Sequence, residues 1–271
     1  MSLYIDDDNY LDVVAEGEAA GIFNACLPRE SPVGGLEGIP VFAEHVPILP
    51  ESEWKPRIAA MTERGLFIGQ RWKSNPEADY QNGLGFCWAY SLSQATMAVR
   101  ACETQPFVQL SPESLAECVG YKNRGYYLDE ALVYASKWGI ASRATVPQHK
   151  ISESQWNTDY KEDRQNYMPT EWWDLGGSDV WGETVTALLM GYGCYVGYDW
   201  WRHAVFLDGL RVGSNGKIEV HTCNSHGPGN DAWLAGSRAI PSMGSFVLRA
   251  TTLGSGLIIA QYVHEQLQNA V

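Results

Sequence analysis

Positive charge is scarce in this chain. Its 271 residues carry 19 Lys and Arg against 32 Asp and Glu, a formal net charge of −13, and no Lys/Arg block stands out. Nucleic acid and anionic membrane surfaces are bound through basic patches, so both are disfavoured as partners. Long apolar runs are missing too. None approaches the roughly 18 residues that cross a bilayer, so no membrane insertion is expected. The opening Met-Ser-Leu-Tyr-Ile-Asp-Asp-Asp lacks the basic and apolar regions of a secretory leader. The six cysteines, at positions 26, 87, 102, 118, 194 and 223, follow no disulfide-framework spacing, which suits a reducing compartment. These absences predict a cytoplasmic protein. Internal repeats and low-complexity tracts are also lacking, and a chain of this length can bury a full core.

The most informative stretch is Gln81-Asn82-Gly83-Leu84-Gly85-Phe86-Cys87-Trp88-Ala89-Tyr90. A glycine-punctuated loop leads into a cysteine, and residues 87–100 contain no Gly or Pro and space their apolar residues as a helix does. Cys87 would sit at a helix N-terminus, where unsatisfied N–H groups and the helix dipole favour a thiolate, the nucleophilic form. Taken alone, such a cysteine is more simply a small buried hydrophobe. Two further segments change that balance. Arg202-His203-Ala204-Val205-Phe206-Leu207 places a histidine at the head of an apolar strand. Lys217–Cys223 alternates like a strand and delivers Asn224 into the loop Ser225-His226-Gly227.

With a glutamine six residues before Cys-Trp-Ala-aromatic, then His-Ala-Val, then Asn-Ser-x-Gly, the chain resembles the papain-like cysteine peptidases over residues 76–251. The resemblance implies an α+β papain-like fold of two lobes, one helical and one a twisted antiparallel β-sheet or barrel, with the active site in the cleft between them. It implies Cys87 as nucleophile with a depressed pKa, His203 as its ion-pair partner and general acid, Asn224 as the group orienting His203, and Gln81 as oxyanion donor. Asn123-Arg124-Gly125 occupies the place of a glycine pair whose backbone pairs with bound peptide, so Arg124 and Gly125 are candidate substrate-binding residues, with Ala204 and Arg202 beside the histidine. No cofactor is implied. The partner is a peptide or protein substrate.

Departures from the pattern carry expectations of their own. The family disulfide would join a cysteine at position 84 to Cys118; position 84 is Leu, so that bridge cannot form. The family tryptophan after Asn-Ser is His226 here, which predicts a wetter Asn224–His203 hydrogen bond. A zinc reading of His221, Cys223 and His226 lacks a second ligand pair, so no metal site is expected.

Outside the matched region, residues 1–75 read as an N-terminal extension, mostly irregular with one short helix near 52–64, and without the long helical pattern of an inhibitory pro-segment. Residues 252–271 read as a hinge and an amphipathic helix. The apolar residues of residues 1–50 (Ile22, Phe23, Leu27, Val41, Phe42, Val46 and Ile48) and of residues 257–271 (Leu257, Ile258, Ile259, Tyr262, Val263 and Leu267) predict protein partners for both ends. Two alternatives to a peptidase follow. One is a structural component of a larger assembly such as a phage virion, with activity optional. The other is a cell-wall amidase of the wider Cys/His superfamily, which the Gln81 and Asn224 matches disfavour.

Overall fold

The computed structural model describes residues 3–22, 25–32, 39–75 and 77–268. The N-terminal region supplies strand β1 (Leu3–Ile5) and helices α1 (Tyr10–Ala19), α2 (Phe42–His45), α3 (Glu51–Glu63) and α4 (Ile68–Arg71). The helical half continues with α5 (Cys87–Cys102), a 3-10 helix at Pro112–Val119, α6 (Leu128–Trp138) and α7 (Tyr160–Asp163). Then come β2 (Glu171–Asp174), α8 (Val180–Leu189), β3 (Cys194–Tyr198), β4 (His203–Val212), β5 (Ile218–Cys223), β6 (Ala232–Leu234), β7 (Ser245–Ala250) and the terminal α9 (Ile258–Gln268). The architecture is α+β and papain-like, a helical region against a largely antiparallel sheet.

Helix α5 is the axis of the molecule. Every residue from Cys87 to Arg100 is buried, and the helix packs on β3, β4 and β7. A helix enclosed on all sides must satisfy its polar side chains internally. Ser91 and Thr96 do so by donating to the carbonyls of Cys87 and Leu92, both at 2.8 Å.

The seven strands run β1-β6-β5-β4-β3-β7-β2, antiparallel except for the β1–β6 pair. The N-terminal region borders the sheet on both sides. β1 pairs with β6 at one edge, and Val41 bridges Asp174 of β2 at the other. Unpaired strand edges are sticky, and the N-terminal region caps β6 and β2, leaving the three-residue β1 as the outer strand.

That placement corrects the expected N-terminal extension. It holds a strand and several helices rather than one short helix, because its short apolar segments gain order from a sheet already present, a tertiary contribution that local periodicity does not register. It also corrects the expected outside partners for much of both ends. Ile5 and Phe42 are fully buried in the common core, with Phe42 edge-on to Trp173 at 5.2 Å. Ile259 and Val263 of α9 are buried, and the helix fits closely because a Cβ on Gly191 would strike Val263. Leu257, Ile258 and Tyr262 remain exposed. Phe23 and residues 269–271 lie outside the described residues.

Candidate active site

The approach to Cys87 is shaped by a tight turn. Leu84 N–H donates to Gln81 C=O at 2.9 Å, and the two central residues, Asn82 and Gly83, have φ of 47° and 75°. Two consecutive positive φ values select Asn-Gly, the residues present. Asn123 pins this loop from the helical side, accepting Gly85 N–H at 2.6 Å and donating to Gly83 C=O at 3.2 Å.

The turn is also joined to the sheet side. Gln81 N–H donates to Ser225 C=O at 2.9 Å, and Ser225 Oγ–H donates to Gln81 Oε1 at 2.6 Å. Gln81 Nε2 donates to Leu84 C=O at 2.7 Å. The sequence marks Ser225 only by its place next to Asn224. Gln81 and Asn224, distant in the chain, are thus held on neighbouring backbones.

His203 opens β4 and is fully buried, with its Nε2 2.8 Å from Asn224 Oδ1. Asn224 Nδ2 donates to Asn230 C=O at 3.0 Å, which fixes the amide so that its oxygen faces the imidazole. Nε2 therefore carries the hydrogen, and in the neutral ring Nδ1 carries the lone pair. Nδ1 has no hydrogen-bond partner among the described residues. The Cys87 sulfur lies within reach of the backbone N–H of Ala204, the residue after His203. Cys87, His203, Asn224 and Gln81 are therefore gathered at one place.

The Asn224–His203 hydrogen bond is not wet, contrary to the expectation from His226. Asn224 is only 4% exposed. His226 stacks on His203 with ring centroids 4.2 Å apart, and Trp201 meets His203 edge-on at 4.8 Å. Helix α1 adds a further cover, its Val13 and Val14 bounding a cavity of about 230 Å³ that reaches Asn224 and His226. Histidine, tryptophan and an added helix together do the shielding expected of one tryptophan.

Most consequential is a strap from the N-terminal region across the cleft. Cys26 N–H donates to Arg202 C=O at 2.9 Å on the sheet side, and Leu27 N–H to Tyr126 C=O at 3.2 Å on the helical side. The Ala25 carbonyl lies where a Cβ on Gly125 would be, so only glycine admits the strap there. The Cys26 sulfur lies so close over Gly197 that it would be 3.0 Å from a Cβ there. Arg202, with φ of 48°, offers its carbonyl to the strap while its side chain is exposed; Arg124 is exposed beside Gly125. Farther along, Arg29 grips Asp174 with both guanidinium nitrogens at 2.8 Å.

Under the strap Cys87 is 0% exposed. Burial pushes its thiol pKa up, against the opposing pull of the backbone N–H groups of Ala25 and Ala204. Burial also pushes His203 down to about 4, and His226 well below its usual range. Under the strap, burial thus works against the expected depressed thiol and favours a neutral thiol and a neutral imidazole. Desolvation opposes charge separation more strongly than the local dipoles favour it.

These shifts give a pH prediction. A histidine whose folded pKa lies below its unfolded value stabilises the fold fully above about pH 6.5 and progressively less toward its folded pKa. Acidification from pH 6.5 to 4 should therefore lower the unfolding midpoint. Asp79 and Glu183, buried acids pushed up to about 7, act in the opposite sense. The measured quantity is accordingly the difference between wild type and His226→Trp. The variant should lose less stability on acidification; parallel pH profiles would contradict the assignment.

No protein-family model and no curated protein matches the chain. Solved structures do. Xylellain, a cysteine protease from Xylella fastidiosa, aligns with a TM-score of 0.58 at 15% identity over 84% of this chain and 96% of its own. Digestive procathepsin L 3 of Tenebrio molitor larval midgut aligns at 0.54 and 16%, covering 88% of each chain. Procathepsin B S9 from Trypanosoma congolense aligns at 0.54 and 14%, over 86% and 87%. The chain has the papain-like fold that these cysteine proteases share.

Proposed function

We propose that the chain is a thiol-dependent peptidase held latent by residues 25–32. The observation that carries this reading is the direction of the hydrogen bonds running from Asn224 to Asn230 and from His203 to Asn224. They leave the lone pair on Nδ1 of His203, which we take as the base for Cys87 at the start of α5. Once the strap is displaced, water and the helix dipole stabilise the Cys87 thiolate, and Nδ1 takes its proton. The thiolate adds to a peptide carbonyl, and the developing oxyanion accepts from the Cys87 backbone N–H and the Gln81 amide. His203 then protonates the leaving amine, and its neutral form activates the water that releases the acyl group. Gly125 and Ala204 line the path that the strap occupies, with Arg124 and Arg202 at its rim, so an extended peptide would lie there. The virion-component alternative draws no support from these structural neighbours.

The test is limited alkylation near pH 6 together with peptide hydrolysis, on chain whose strap has been cut. Cys87 should be labelled before the other five cysteines, His203→Ala should slow the labelling, and Cys87→Ala should abolish hydrolysis. Uniform labelling, or hydrolysis that survives loss of Cys87, would overturn the reading.

A further inference from the structure

One residue before Asn224, Cys223 belongs to another cluster. His221 and Cys223, two apart on β5, share a face of the strand. Asp208 of β4 reaches them from a break in register: Leu207 pairs with Thr222 and Gly209 with His221, leaving Asp208 as the extra residue of a bulge. Bulges re-aim side chains. Asp208 Oδ1 lies 2.6 Å from His221 Nδ1, and Cys223 Sγ lies 3.1 Å from Asp208 Oδ2. One ligand atom from each residue falls within 4.8 Å of the others. Helix α4 closes over the carboxylate at Gly69, where any Cβ would collide with it.

The donor set is that of a borderline-soft divalent cation: one carboxylate, one imidazole, one thiolate. We infer that Asp208, His221 and Cys223 form a zinc site whose fourth position is taken by water. Zinc bonds of about 2.0–2.3 Å set tetrahedral donors roughly 3.3–3.8 Å apart, so the two contacts to Asp208 need widen by under about 1 Å, and the His221 and Cys223 donors, within 4.8 Å of each other, need adjust by no more than about 1 Å. On binding, the Cys223 thiol releases its proton to solvent as the zinc–sulfur bond forms, and the His221 hydrogen moves to Nε2. Two negative ligands then neutralise the ion, which suits a largely buried place. A cavity of about 360 Å³, bounded by Thr62, Gln70 and Trp233, opens on Asp208 and His221 and supplies the water. Asn224, which orients His203, follows Cys223 directly where β5 ends, and Asp231 accepts its N–H at 2.8 Å. His226 does not join the cluster, because it is stacked on His203; Asp208, hidden within an apolar strand, takes the third place.

The experiment uses full-length Cys87→Ala chain, stripped with chelator and titrated with Co²⁺. One ion per chain should bind, with a thiolate-to-cobalt charge-transfer band and the intense visible bands of tetrahedral cobalt, and Zn²⁺ should displace it. Cys223→Ser should lose the charge-transfer band. Asp208→Asn and His221→Gln, each checked for an unchanged circular dichroism spectrum, should weaken binding at least tenfold. Absence of the band, its persistence in Cys223→Ser, or unaltered affinity in the Asp208 and His221 variants would overturn the site.

Discussion

Replacing Arg29 by alanine is expected to speed alkylation of Cys87 about a hundredfold. Arg29 holds the strap through a two-pronged pair with Asp174, whose carboxylate is fully buried, and its guanidinium lies 5.4 Å from the centre of the Phe246 ring. Ser31 on the same strap donates to Asp129. Removing one partner of a buried pair leaves the other charge desolvated, typically at a cost of about 3 kcal/mol. That cost falls on the strapped state, because a displaced strap lets water reach Asp174. The equilibrium therefore shifts toward the open cleft by about two powers of ten. Arg29→Lys should fall between, since an ammonium cannot reproduce the two-pronged contact. Labelling of Cys194 and Cys223, both buried in the sheet, supplies the control. If their rates rise as much as that of Cys87, the change reports general unfolding and the strap is not the barrier.

Asn224→Ala is expected to lower peptide turnover of the strap-cut chain by about 10- to 1000-fold while the fold persists, as loss of a group that orients a catalytic histidine does. Asn224 fixes both the rotation of His203 and which nitrogen carries the hydrogen, so without it the ring samples unproductive orientations. The loss should appear in kcat with little change in KM. Asn224→Asp gives a separate readout. A carboxylate facing Nε2 favours imidazolium, so the pKa of His203 should rise and the acidic limb of the pH–rate profile should move upward. Equal activity of wild type and Asn224→Ala would remove Asn224 from the mechanism.

The papain-like fold was legible in short motifs. Gln81, Cys87, His203 and Asn224 each stand in a local pattern whose residue types are set by chemistry. The helix after Cys87 and the strands after His203 and before Asn224 showed their own periodicity, and the structure places them within a residue or two. The shielding of Asn224 is not legible at position 226 alone. Trp201 and α1 supply it from elsewhere in the chain, and neither place has a local signature.

By itself the sequence determined the motifs around Gln81, Cys87, His203 and Asn224 and the main helices and strands that carry them. Those depend on residue type, spacing and turn geometry within about ten positions. Only the tertiary structure decided that Cys87 is covered, that burial favours the neutral thiol and the neutral His203 imidazole, and that Asp208 meets His221 and Cys223. Residues 25–32 carry no periodic pattern. Their order comes from carbonyls offered by Tyr126 and Arg202, from the missing Cβ of Gly125 and from the buried Asp174. Burial reverses the charge state expected of a cysteine at a helix N-terminus, because desolvation depends on what lies above the sulfur, and that is set by a segment some sixty residues away in the chain.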